Sequence, residues 1–156
     1  MTSMLPPLVR KVIDRRGWLL GVALATLVPA RSSAAESSEG FVVIVHPGCP
    51  ESLERSFLAD VFLKKRTRWP DSQPIRPVDQ KPSAKVRREF SEGVLKRSLE
   101  AVRSYWQQRI FSGRDVPPPE LESDEAVIRH VAKNPGAVGY VAAGHELVGV
   151  RLVRLK

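Results

Sequence analysis

Asn134-Pro135-Gly136-Ala137-Val138-Gly139-Tyr140-Val141 closes one kind of structure and opens another within eight residues. Pro135 has no N–H to give to a helix ladder, and Gly136 can take positive φ, so a helix arriving here must stop and the chain must turn. Ala137, Val138, Tyr140 and Val141 then make a short apolar run that reads as a buried strand. The glycine inside that run, Gly139, marks a place where another backbone or a ligand comes close.

Working backward from the turn, Ser123 followed by Asp124 and Glu125 is an N-cap with acids in the first helical turn, and Val127, Ile128 and Val131 give the helix an apolar face. Before it, Ser112 to Pro119 ends in three successive prolines and must be a stiff extended connection. Working forward, Gly144 marks a turn, and from Val150 to Leu155 the sequence alternates as a half-exposed terminal strand.

The other half of the chain has the same grammar. Phe41-Val42-Val43-Ile44-Val45 is continuously apolar, which suggests a strand covered on both faces, as in the parallel sheets of α/β folds. Leu58, Val61 and Phe62 recur at helical spacing from Arg55 to Leu63, and the basic run Lys64-Lys65-Arg66 with Arg68 reads as a solvated helix end suited to the macrodipole. Trp69-Pro70-Asp71 turns the chain into a second strand, Pro74 to Asp79, whose prolines restrict it to an edge or a short length. Ser83 is expected to cap a helix with Val86, Phe90 and Val94 inward and Arg87, Arg88 and Glu89 outward. Ser98 caps another, with Leu99, Val102, Trp106 and Ile110 as its stripe and both Tyr105 and Trp106 read as core. The resulting order, strands at both ends and helices between, is a mixed α/β layer arrangement.

Length and charge narrow the function. The 156 residues allow one ordinary domain, and 42% hydrophobic with 27% charged residues is a globular composition. The net charge of +8 suggests nucleic acid or anionic lipid. Residues 1–35, however, carry Arg10, Lys11, Arg15, Arg16 and Arg31 against Asp14, leaving 20 basic and 16 acidic side chains beyond them. Without an aromatic-interleaved basic patch, nucleic-acid binding recedes. Residues 1–35 read as a signal peptide: a basic segment, an apolar run from Trp18 to Ala30, and small residues up to a cleavage site near Ala34-Ala35. That run is too short for a membrane span. Arg15-Arg16-Gly17-Trp18 is similar to a twin-arginine signal, although Asp14 stands where Ser or Thr is commoner, so both export routes stay open. Residues 36–156 are then a single domain in the periplasm. Cys49 is the only cysteine and reads as a loop thiol, which excludes an intrachain disulfide and a Cys-based metal site. His46, His130 and His145 are scattered, with no nucleophile, carboxylate pair or metal spacing, so no enzyme and no cofactor is expected.

Several of these pieces together resemble the type II periplasmic binding proteins, specifically the phosphate-binding component of ABC transporters. They are the strand Phe41 to Val45 ending in Pro47; Leu53, Leu58 and Asp60-Val61-Phe62-Leu63-Lys64 followed by Trp69; Pro74-Ile75; Arg88-Glu89-Phe90; Gly113 with Pro117-Pro118; and Asn134 to Val141. The resemblance implies one lobe of the two-lobed fold, a mixed sheet flanked by helices, and the first lobe has no counterpart. It makes Asn134 to Val141 the entry to a hinge-side strand, with Gly136 and Gly139 there for geometry. The family holds its oxyanion with a Ser-Gly-Thr loop at a helix N-terminus. The corresponding region here, Val78 to Lys85, keeps Ser83 but lacks the Gly-Thr pair. The implied function is exported solute binding, with inorganic phosphate or another small anion at Gln80, Ser83, Arg87 and Arg88 and an ABC transporter permease as partner. The alternative is an envelope protein-interaction module that kept the fold and lost the ligand.

Overall fold

The computed structural model describes residues 40–156, so the expected export signal and its cleavage site lie outside the described residues. Phe41–Val45 forms β1, the middle of a five-stranded sheet. It pairs on one side with β6, Ala137–Ala142, and on the other with β7, Arg151–Leu155. Both pairings are antiparallel, which corrects the parallel setting suggested by the continuous apolarity of β1. The apolarity has the expected cause all the same, since the strand is covered on both faces.

Two short strands extend the sheet in parallel: β2, Ser52–Leu53, beside β7, and β3, Arg76–Pro77, beside β6. The order is β2-β7-β1-β6-β3, a mixed sheet. The expected second strand is split. β3 ends at Pro77, and after Val78 the chain forms β4, Asp79–Gln80, which leaves the main sheet to pair in parallel with β5, Glu120–Leu121.

Alternation along β1 divides the core. Phe41, Val43 and Val45 face a large cluster with Leu58, Phe62, Phe90, Trp106 and Tyr140, while Ile44 faces a smaller one with Val78, Val127, Val131 and Val141. The first face is covered by α1, Arg55–Phe62, α2, Lys85–Phe90, and α3, Leu99–Phe111; the second by α4, Asp124–Lys133. The Ser98 and Ser123 hydroxyls cap α3 and α4 as expected, each accepting from the N–H three residues on at 3.2 Å.

Three expectations about helices change. Ser83 caps nothing: Ala84 N donates to Lys81 O at 2.9 Å, closing a turn that holds Ser83 on the surface, and α2 starts from Ala84. The α-geometry stops at Phe90 and widens into a π turn, Ser91–Leu95, which lets both Val94 and Leu95 face the core before Lys96 ends it at φ 54°. The stripe of α3 is only half inside, with Val102 and Trp106 buried, Leu99 half-buried and Ile110 50% exposed.

The Pro-Gly stretch folds as read. α4 ends at Lys133, Gly136 turns at φ 80°, and β6 begins one residue later. A methyl at Gly139 would lie 2.7 Å from Val127 Cγ1 and 3.0 Å from Val78 Cγ2, so the glycine lets α4 sit against the sheet.

Candidate functional site

β4 delivers two buried polar side chains, Asp79 and Gln80, to the space between the sheet and α2. Asp79 Oδ1 accepts from its neighbour's main chain, Gln80 N, at 2.9 Å, from the Tyr140 hydroxyl and from the Arg87 guanidinium. Arg87 Nη1 also donates to Gln80 O at 2.9 Å. Gln80 Nε2 donates to Tyr140 O at 2.9 Å and to Asp124 Oδ1 at 2.5 Å. The other Asp124 oxygen accepts from Ala142 N at 3.2 Å and from His145 Nε2 at 2.8 Å. One connected network therefore runs from α2 through β4 and β6 to the start of α4 and the loop after β6. Tyr140 holds its middle because its ring stacks on Phe90, centroids 3.9 Å apart and planes 3° from parallel.

Electrostatics follow from burial. Burial pushes the Asp79 carboxyl above the usual carboxylate range, and the Arg87 charge, the Tyr140 hydroxyl and the Gln80 N–H pull against that. Burial and then the charge of Asp79 hold the Tyr140 phenol well above its ordinary value, so the hydroxyl remains a donor at any physiological pH.

Of the four residues named from sequence, the fold brings Gln80 and Arg87 together and leaves Ser83 and Arg88 exposed. Arg87 is the clearest correction. The helical pattern puts it outward, yet it is only 5% exposed, because Asp79 gives its charge a buried partner. Asp79, Tyr140 and Asp124 belong to the same network without a sequence signal of their own. The aspartates fit the pattern of strand end and helix start, and nothing local in the sequence tells that Tyr140 reaches Asp79.

Arg87 is not fully committed. Its Nε is buried with no hydrogen-bond partner, although a guanidinium carries five donors. The side chain lines an open groove of about 480 Å³ that runs along α3 past Leu99, Arg103, Trp106 and Ile110 to Pro117. This volume is within the range of small-molecule sites. Nη1 holds the fold through Asp79 and Gln80 O, and the guanidinium as a whole brings a fixed positive charge to the inner end of the groove.

The basic run after α1 has local partners. Lys64 pairs with Asp115 at 3.4 Å and Lys65 with Asp60 at 3.6 Å, Arg66 lies over the Phe57 ring, and Arg68 donates to Ser72 O. This fits the solvated-end reading of the basic run. Cys49 lies in its loop as expected but is buried against the core. Among the described residues no group of three or more His, Cys, Asp and Glu side chains is placed to hold a metal, and no helix is long and apolar enough to cross a membrane.

The fold is shared with solved substrate-binding proteins. An ABC-type phosphate transport receptor from Vibrio cholerae superposes with a TM-score of 0.58 at 20% identity, over 75% of this chain and 46% of its own. PstS from Borrelia burgdorferi gives 0.59 at 11% identity, over 76% and 47%. A Clostridium perfringens structure with bound phosphate, named as a phosphate ABC transporter substrate-binding protein, gives 0.57 at 19%, over 75% and 45%. The chain thus spans under half the length of these proteins, and its described part has the fold of one lobe of a periplasmic binding protein. No protein-family model matches it, and neither does any curated protein.

Proposed function

We propose that the chain is an exported substrate-binding lobe that takes a small oxyanion, inorganic phosphate or a relative of it, at the start of α2. The observation that carries the reading is Arg87. A guanidinium held rigid by Asp79 and Gln80 O, on a side chain that lines an open groove, is a preorganised positive group for an oxyanion. Gln80 O holds the guanidinium from inside, while Ser83 and Arg88 stand at the surface near the same helix start. The likeness in fold to proteins named for phosphate transport supports the ligand class. The role is binding rather than catalysis, and the partner is an ABC transporter permease or another protein of the envelope. Calorimetry of the chain with phosphate and sulfate tests the reading. Binding at or below millimolar ligand is expected, and no heat with either anion at that level sinks it.

A second reading, an interaction module, draws on the end of α3, where Phe111 is 90% exposed beside Ile110 and Val116. Light scattering after size exclusion tests self-association through that face, and a monomer together with no partner recovered from periplasm removes its support.

A further inference from the structure

The C-terminal ends of α1 and α3 come together at one end of the lobe. Asp115 joins them, its carboxylate lying 3.4 Å from Lys64 Nζ and 3.7 Å from Arg109 Nη2, and one turn earlier on α3 the Tyr105 hydroxyl donates to Leu63 O at 2.8 Å. Here the fold leaves Phe111 90% exposed, Val116 59% and Ile110 50%. Single exposed apolar residues need no explanation, but three large ones at one chain reversal make a patch. The charge around that patch is mostly of one sign. Lys64, Lys65, Arg66, Arg109 and Arg114 belong to the two helix ends that meet here, with Asp60 and Asp115 as the acids paired to them. The pairing does not cancel the cations, because Lys64 and Arg109 share the one carboxylate of Asp115, Arg66 lies over the Phe57 ring at 5.0 Å and Arg114 is exposed. A second copy of the chain would bring the same cations against these and repel them. A nucleic acid would meet the cations but make no use of an exposed isoleucine and valine. An anionic bilayer takes both, its phosphates against the basic ring and its acyl boundary against the apolar tip. We infer that this end of the lobe docks on an anionic lipid surface, with Phe111 entering the headgroup boundary and the five cations meeting lipid phosphates.

This rests on the exposed end of α3 that also carries the interaction reading, and it gives that face its partner. The test is co-sedimentation of the full chain with phosphatidylglycerol vesicles and with phosphatidylcholine vesicles. Binding is expected on the first, weak on the second, and falling as salt rises. Phe111→Ser and Arg114→Glu, both at exposed positions, should each weaken it about fivefold or more. Residues 1–35 carry a basic and apolar run of their own, so Phe111→Trp supplies a readout at the face itself. Its added emission should shift to the blue on phosphatidylglycerol vesicles and be quenched by brominated acyl chains. Vesicle binding that neither substitution weakens, with the added tryptophan left in water, belongs to residues 1–35 and overturns the inference. Equal binding to both kinds of vesicle overturns the role of the cations. No vesicle binding, together with self-association that Phe111→Ser abolishes, overturns the lipid partner and leaves the interaction reading standing. A monomer that binds no vesicle overturns both for this face.

Discussion

Trp69 Nε1 donates to the main-chain oxygen of Gly136 at 3.1 Å, a buried bond across 67 residues of chain. The same oxygen accepts from Arg76 N at 3.0 Å. The turn that ends α4 is thereby tied at one atom to the loop after α1 and to the edge strand β3. Phe57 stacks on the indole, centroids 5.9 Å apart, and holds it in place.

Trp69→Phe should therefore destabilise the fold by about 1–3 kcal/mol, since it removes a donor from a buried acceptor and some packed area while Arg76 N still satisfies part of the oxygen. Gly136→Ala should cost more. Its new methyl would fall inside contact distance of the Pro74 carbonyl oxygen, and its φ of 80° is strained for alanine. Urea titration of both variants checks the order, and a Gly136→Ala variant as stable as wild type counts against it.

Asp79 and Arg87 are expected to behave as one unit. Arg87→Met should cost about 3–5 kcal/mol, because a buried carboxylate then lacks its cation, and Asp79→Asn should be costly for the mirror reason. The double variant should recover most of the loss. The amide oxygen that replaces the carboxylate can still accept from the Tyr140 hydroxyl and Gln80 N, so only the charges are deleted. A double-mutant cycle by denaturant melts gives the coupling, and additive effects would show that the pair is not a stabilising contact.

The contrast between these two features explains what could be read from sequence. The Pro135-Gly136 turn and the Ser98 and Ser123 caps are local devices, each needing only its own few residues to act. Burial of Arg87 is not local. It depends on Asp79 being in reach and on Tyr140 arriving from 61 residues away to help satisfy it, so a helix pattern alone places the arginine outside. β2, β3, β4 and β5 are two-residue strands, too short to show any period. Ile110 fits the apolar spacing of α3 yet stands half exposed, because the residues opposite it leave a groove rather than a partner helix.

Cys49 should give the fold an alkaline weakness. Burial raises its thiol above the ordinary value. The unfolded chain then ionises first as pH rises, so this contribution is complete below the ordinary thiol pKa and is lost as pH climbs through the raised one. Cys49→Ala should flatten the fall in thermal stability above about pH 9, the ordinary thiol range. Iodoacetamide should label the native thiol far more slowly than the denatured one. Equal labelling rates would contradict the burial.

Gly139 separates packing from ligand contact. A methyl there meets Val127 Cγ1 at 2.7 Å and Val131 Cγ2 at 3.4 Å, both on α4. Gly139→Ala should thus cost about 1–3 kcal/mol by overpacking, and Gly139→Val should unfold the domain. Val127→Ala opens the space on the facing helix, so the pair Gly139→Ala/Val127→Ala should be more stable than the sum of the two single changes, by about 1 kcal/mol. If the glycine were instead there to admit a ligand, Gly139→Ala would keep its melting temperature and lose only affinity, and Val127→Ala would not rescue it. Thermal melts of the three alanine variants, with phosphate titrations on any that remain folded, distinguish a glycine that seats α4 on the sheet from one that lines a site.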